Sequence, residues 1–306
     1  MNRMITLFLT AVVVLTITAC HPPTPNTAAK PTVLGEDRDG NPVLLPKKID
    51  RIISLAPSNT EILIALGFAD KIIAADTYSG KLKGLAANIP LFNMMTPDAE
   101  QIVLLEPDVL FVVGMSKVGG MDSFKVISDV GICVLSIPSS LSIADIKTDI
   151  RFIASVLGVT EKGDEIVAEM ENTIDDIAKI GETITDKKTV YFEIAPMPNL
   201  YSFGKGVFLN EMLEIIGAKN VLDDMQQWVA VTAEAILKRD PAVILTNVDY
   251  IDKPIDEILS RPGWDVVTAV QNRDVYSIDT TTSSRQNHHI VKALQEMAKA
   301  VYPDKY

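Results

Sequence analysis

The chain of 306 residues is long enough for two domains, and its balance of 47% hydrophobic to 22% charged residues is that of a folded protein, not a disordered one. Its 40 Asp and Glu against 28 Lys and Arg leave a formal charge of −12, which excludes a nucleic-acid binder that needs a basic face to meet phosphates. Two cysteines exclude a disulfide scaffold and a cysteine-rich zinc site, and three histidines leave little from which to build a histidine metal centre.

Residues 1–19 read as a signal peptide. Arg3 precedes an apolar run from Met4 to Leu15 that is too short for a comfortable membrane span, and small residues close it before Cys20. Ile17-Thr18-Ala19-Cys20 resembles the bacterial lipoprotein box, whose cysteine is diacylated and becomes the new N-terminus; an ordinary signal with a chance cysteine is the alternative. Residues 20–32, rich in Pro and Thr and without apolar periodicity, read as an extended tether from lipid to fold. Cys133, within the apolar run Gly131–Leu135, reads as a small core residue.

Residues 33–141 are expected to form a first α/β lobe. Val33–Glu36 and Pro42–Leu45 flank an Asp-Gly turn and predict a hairpin. Strands are then expected at Arg51–Leu55, Lys71–Ala75, Val109–Val113 and Ile132–Ser136, alternating with helices at Ser58–Leu66, Asp98–Leu105 and Met121–Val130. Such alternation implies a parallel sheet covered by helices. Residues 142–186 hold helical apolar spacing at Ile143, Ile146, Ile150, Ile153 and Leu157, and again at Ile166, Met170, Ile174 and Ile177. They read as a helical spine with one joint at Gly158 and Gly163. Residues 187–306 repeat the α/β grammar, with strands expected at Thr189–Glu193, Val243–Thr246 and Asp274–Ile278.

The halves echo each other. The run Glu61–Gly67 is matched by Glu211–Gly217. Thr96–Glu100, with Pro107 seven residues beyond the Glu, is matched by Val231–Glu234, with Pro241 again seven beyond. Two matches in the same order favour pseudo-symmetric lobes with a ligand cleft between them.

Arg51–Leu63 (RIISLAPSNTEIL), Leu105–Leu110, Trp228–Glu234 and Arg261-Pro262-Gly263-Trp264 together resemble the helical-backbone (class III) substrate-binding proteins of ABC importers, which handle cobalamin, ferric siderophores and haem. The stretch Ser54–Glu61 is most similar to cobalamin-binding members. The resemblance implies two Rossmann-like lobes with parallel sheets, a long helical connector, no catalysis, and no cofactor beyond the corrinoid or iron chelate being carried. It also implies a monomer that docks on an ABC permease with its ATPase subunits, anchored outside the cell membrane and facing the periplasm or exterior.

Ser58-Asn59-Thr60-Glu61 after a strand reads as a capping box, with ligand contact at Ser58 as the alternative. Glu100 and Glu234 each suit the first turn of a helix. Their equivalence sets one on each lobe, and the resemblance assigns the pair to docking on transporter arginines. Tyr78 and Trp228 match cleft aromatics of the cobalamin group, against a surface loop and a second-lobe core position respectively. Phe92 is an approximate substitute for a further family aromatic. Arg285 is open between a siderophore-carboxylate ligand and a helix-start residue, and Trp264 is expected in the core. Haem would want an axial ligand, for which Tyr78, Met94 and Met95 are available. A zinc or manganese receptor would have to rely on His288 and His289, both expected in the last helix, where adjacent residues face different ways. An exported enzyme finds no support in a Gly-x-Ser-x-Gly, Walker or His-Glu-x-x-His pattern.

Overall fold

The computed structural model describes residues 32–114 and 124–306. The expected signal peptide, the lipidation site Cys20 and all of the tether but Thr32 lie outside the described residues, as do Met121, Asp122 and Ser123 of one expected helix. A hairpin comes first, β1 (Thr32–Glu36) antiparallel to β2 (Pro42–Leu45). Its turn is organised by the Asp37 carboxylate, which accepts from the backbone amides of Asp39 at 3.0 Å and Asn41 at 2.8 Å, while Gly40 takes φ +79.

The first lobe runs β3 (Ile52–Ser54), α1 (Pro57–Ala65), β4 (Ile72–Asp76), β5 (Leu91–Phe92), α2 (Ala99–Leu104), β6 (Val109–Val113), α3 (Lys125–Asp129) and β7 (Cys133–Ile137). The sheet is parallel throughout, in the order β5-β4-β3-β6-β7. Its central strands are buried on both faces, which is why they read as unbroken apolar runs instead of alternating ones.

The connector is α4 (Ile143–Val156) followed by α5 (Thr160–Gly181). These helices fold back on each other: Lys147 pairs with Glu171 and Arg151 with Asp164, each at 2.8 Å, a register that runs in opposite directions. The expected single spine is therefore a helical hairpin. Its joint is at Gly158, with φ +71, and not at Gly163, which lies inside α5. A Cβ at Gly163 would stand 2.4 Å from the Ala154 Cβ, so that glycine is what lets the two helices approach.

The second lobe contains β8 (Thr189–Glu193), β9 (Tyr201–Phe203), α6 (Phe208–Ile215), β10 (Lys219–Asn220), β11 (Trp228–Ala230), α7 (Ala233–Arg239), β12 (Val243–Thr246), α8 (Pro254–Leu259), α9 (Thr268–Asn272), β13 (Val275–Ser277), α10 (Thr280–Ser284) and α11 (Ile290–Val301). Its parallel sheet has the order β10-β8-β12-β13, with β9 and β11 forming a separate antiparallel ribbon. Within each sheet the strands β3 and β8, β4 and β10, β6 and β12, and β7 and β13 hold the same places. The sequence echo is thus an echo of topology. Gly181, the last residue of α5, lies against the Ile215 carbonyl, where a Cβ would come within 2.1 Å, so α5 ends directly on the second lobe.

Two local expectations are corrected. α1 has no capping box: its N-cap is Ala56, no side chain caps it, and Pro57 takes the first helical position. His288 and His289 precede α11 instead of lying in it, with His289 as the N-cap.

Candidate ligand-binding cleft

Parallel strands deliver all their C-terminal ends to one side, and in each sheet the segments leaving those ends include exposed apolar and aromatic side chains. Tyr78 lies two residues beyond β4 and is 69% exposed. Its backbone is fixed by Asp76, whose Oδ1 accepts from the amides of Tyr78 at 2.8 Å and Ser79 at 3.1 Å. Behind it a buried hydroxyl ladder runs from Ser79 to Thr60 (3.1 Å) and from Thr60 to Ser54 (2.8 Å), locking the loop to α1 and β3. Burial pushes the Asp76 carboxyl up, against the hydrogen bonds from Ser79 and the two amides. In the second lobe, Met197 and Tyr201 follow β8, and Tyr250 follows β12; all three are exposed. Met95, beyond β5, is exposed as well.

Trp228 opens β11, opposite Phe203 of β9. It is half-buried, edge-on to Phe203 at 6.1 Å and to Phe208 at 6.3 Å, so its ring is oriented by packing. Ser58 sits half-buried in the first turn of α1. Two candidates are relocated. Phe92 is 9% exposed and packs with Ile53, Ala74 and Leu110 in the first-lobe core, because on the short β5 it is Leu91 that points outward. Arg285 lies beyond the end of α10, and its Nη1 donates to Glu61 Oε1 across the lobe boundary at 2.9 Å. It is the C-cap of α10, so it does not start a helix, and its guanidinium faces the Glu61 carboxylate.

Sequence reasoning missed two polar clusters. Glu61 accepts from both Arg285 and Asn287, more than two hundred positions away along the chain. At the C-terminal end of β8, Glu193 accepts a bidentate pair from Arg261 at 2.7 and 2.8 Å, and Glu257 holds the same guanidinium from the other side. Trp264 lies under Arg261, 4.6 Å from ring centroid to guanidinium carbon, and is buried as expected. The available signal was the Arg-Pro-Gly-Trp run, which marks the cation but not its partners.

Glu100 and Glu234 stand alike. Each is the second residue of a helix, exposed, behind an N-cap whose side chain accepts a backbone amide: Asp98 from Gln101 at 3.0 Å and Thr232 from Ala235 at 3.3 Å. The Glu234 carboxyl is held below its usual range by its own backbone amide and by the Thr232 hydroxyl. On the opposite side of the first sheet, at the N-terminal ends of β6 and β7, a hollow of about 450 Å³ is lined by Leu44, Val103, Val130 and Cys133. Burial and the nearby Asp37 push the Cys133 thiol up to about 11, which keeps it protonated.

His288 and His289 stack with ring centroids 4.0 Å apart, and His288 Nδ1 is buried without a hydrogen-bond partner. Burial, then His289 and Lys292, push the His288 imidazole down from 6.5 to about 4. The unfolded chain therefore binds this proton at a higher pH than the folded one, and stability falls as pH drops from about 6.5 towards 4. The shift corresponds to roughly 3 kcal/mol at pH 4. Urea unfolding at pH 7 and pH 4 should show His288→Leu losing less stability than the parent by about that amount, the other titrating groups being common to both. Equal pH dependence in the two proteins would refute the assignment.

Residues 52–282 match the family model described as periplasmic binding protein. An ABC transporter substrate-binding lipoprotein of Bacillus subtilis, YvrC, is 32% identical over 89% of this chain and 86% of its own. The molybdate-binding protein MolA of Haemophilus influenzae is 27% identical over 86% of this chain and 83% of its own, and a vitamin B12-binding protein of Vibrio parahaemolyticus is 21% identical over 82% and 89%. Among solved structures, a possible iron-binding periplasmic solute-binding protein of Staphylococcus epidermidis superposes with a TM-score of 0.75 at 29% identity, covering 84% of this chain and all of that one. With two parallel-sheet lobes joined by helices and a family model matched over residues 52–282, the chain belongs to the periplasmic binding protein family, as a substrate-binding protein of an ABC transporter.

Proposed function

We propose that this protein captures a cobalamin-like corrinoid between its lobes, through Tyr78 and Trp228 with Ser58 at the cleft's edge, and delivers it to a membrane permease by way of Glu100 and Glu234. In this reading it is exported, lipid-anchored through Cys20, and works outside the cell membrane as a monomer. The observation that carries the ligand class is the pair of freely exposed aromatics at strand ends, Tyr78 in one lobe and Tyr250 in the other. Flat rings supply large contact area with little rotamer entropy to lose, which suits a broad, partly apolar macrocycle. A compact oxyanion such as molybdate would instead want an unspent cation, and Arg285 already answers Glu61. Haem is the second reading, favoured by the exposed Tyr78 phenol and Met95 thioether as axial ligands.

Calorimetric titration of the full chain in detergent with cyanocobalamin, haemin and molybdate tests this. Saturable one-to-one binding of cyanocobalamin at micromolar Kd or tighter is expected, with Tyr78→Ala and Trp228→Ala each weakening it about thirtyfold, the factor for an aromatic anchor of about 2 kcal/mol. Absence of heat with cyanocobalamin, together with a Soret shift on adding haemin, would move the ligand to haem. Molybdate binding alone would overturn both readings.

A further inference from the structure

Glu61 and Glu211 occupy corresponding places in the two lobes. Each lies on the first helix after the leading strand of its sheet, α1 after β3 and α6 after β8, and each begins the repeated run that ends at Gly67 or Gly217. Both carboxylates leave their own lobe. Glu61 Oε1 accepts from Arg285 and its Oε2 from Asn287, and Asn287 Oδ1 in turn accepts from the amide of His289, the N-cap of α11, at 2.8 Å. Glu211 Oε2 accepts from the amide of Ile143, the first residue of α4, at 3.0 Å. Glu61 thus reaches the segment leading into α11, the last helix of the second lobe, and Glu211 reaches the N-terminal end of α4, the connector helix that starts six residues beyond the last strand of the first sheet.

The local chemistry makes both grips specific. Ser142 and Asp145 form a capping box at the start of α4 that serves the amides of Asp145 and Ser142. That box leaves the amide of Ile143, on a buried residue, in need of an acceptor, and Glu211 supplies it with a negative charge where the helix dipole favours one. On the other side Asn287 is completely buried and Glu61 nearly so, so their bond is shielded from competing water.

We propose that Glu61 and Glu211 are a matched pair of positioning residues that pin the two lobes at two points. One apolar core runs from the first lobe through the connector into the second, and beside it these two polar pins set the direction of any rocking: rotation about the line through them keeps both bonds intact. The cleft then opens and closes in one mode, so that Tyr78 and the second-lobe groups meet a ligand in a single register. This holds whichever ligand the cleft takes.

Hydrogen exchange of the full chain in detergent, with no ligand added, tests the coupling directly. Glu61→Gln is expected to speed exchange at Ile143 about tenfold, although its carboxylate bonds to Arg285 and Asn287 and not to α4, and Glu211→Gln to speed exchange over Asn287–Ile290 by a similar factor. Small-angle scattering of the double variant should show a larger radius of gyration than the parent. Should either glutamine variant lose its circular dichroism, Arg285→Gln with Asn287→Ala removes both partners of Glu61 and is read at Ile143 in the same way. Exchange that rises only beside the substituted residue, with an unchanged radius of gyration, would reduce the two contacts to independent local bonds and overturn the proposal. Failure of cyanocobalamin to bind would leave these measurements unaffected.

Discussion

Arg261→Ala is expected to lower the unfolding free energy by about 3–5 kcal/mol in urea at pH 7, the cost of leaving a buried carboxylate without its partner. Glu193 is 1% exposed and Arg261 6%, so neither charge has water to fall back on. The substitution removes two bonds to Glu193, the contact with Glu257 and the guanidinium lying on Trp264. Against a domain stability of about 5–15 kcal/mol this is a large fraction. The deficit carries its own pH signature. Burial raises the Glu193 carboxyl even with Arg261 opposing it, so without the arginine the folded state takes up a proton more readily than the unfolded one. The loss should therefore shrink as pH falls through that raised range. An Arg261→Met, Glu193→Leu double variant should recover much of the stability, because it buries no charge. A loss under about 1 kcal/mol for Arg261→Ala would show that Glu193 is hydrated or protonated at little cost once its partner is gone, and would overturn the prediction.

Reversing both exposed charges, Glu100→Lys with Glu234→Lys, is expected to abolish capture of the protein by its permease and ATPase subunits held in nanodiscs. Ligand affinity should stay within about twofold, since exposed charges govern orientation and association rate more than the strength of a site built from other side chains. Each lysine stands in the first turn of a helix, where a positive charge costs about 0.3–1 kcal/mol, too little to unfold the protein. Single reversals should slow association without eliminating it, and added salt should mimic them. Complex formation undiminished in the double variant would sink the docking role of these two residues.

The alternation of strand and helix was legible because buried parallel strands need unbroken apolar runs and their covering helices need a stripe. The hairpin was legible because Asp-Gly turns have few alternatives. The start of α1 was misread by weighing Ser58 and Glu61 as a capping box, when Pro57, preorganised for a first helical position, was the stronger signal. That two-residue difference frees Glu61 from capping and sends it across the lobe boundary. Phe92 was misplaced because a two-residue strand has no readable alternation, and inside and outside differ by a single step. Gly163 looked like a breaker when it is a contact surface, a distinction that depends on Ala154 in a different helix. The Glu61–Arg285–Asn287 and Glu193–Arg261 clusters were invisible for a plainer reason: no local spacing links partners brought together by the closing of the chain.

The hairpin at the entrance to the fold has a mechanical consequence. Thr32 is paired with Leu45, so the incoming strand and the strand leading into the body leave the hairpin at the same end. Tension applied at Thr32 loads those bonds one pair at a time, as in peeling tape, which is the weak direction for an antiparallel ribbon. The tip is differently secured. Asp37 accepts from the Ser136 amide at 3.0 Å, Asp39 takes the Ser136 hydroxyl, and Arg38 is held by Asp149 on α4. A pull would thus lengthen the strap by at most one short strand before meeting three bonds that share the load, and the hairpin would act as a strain relief between chain end and lobe.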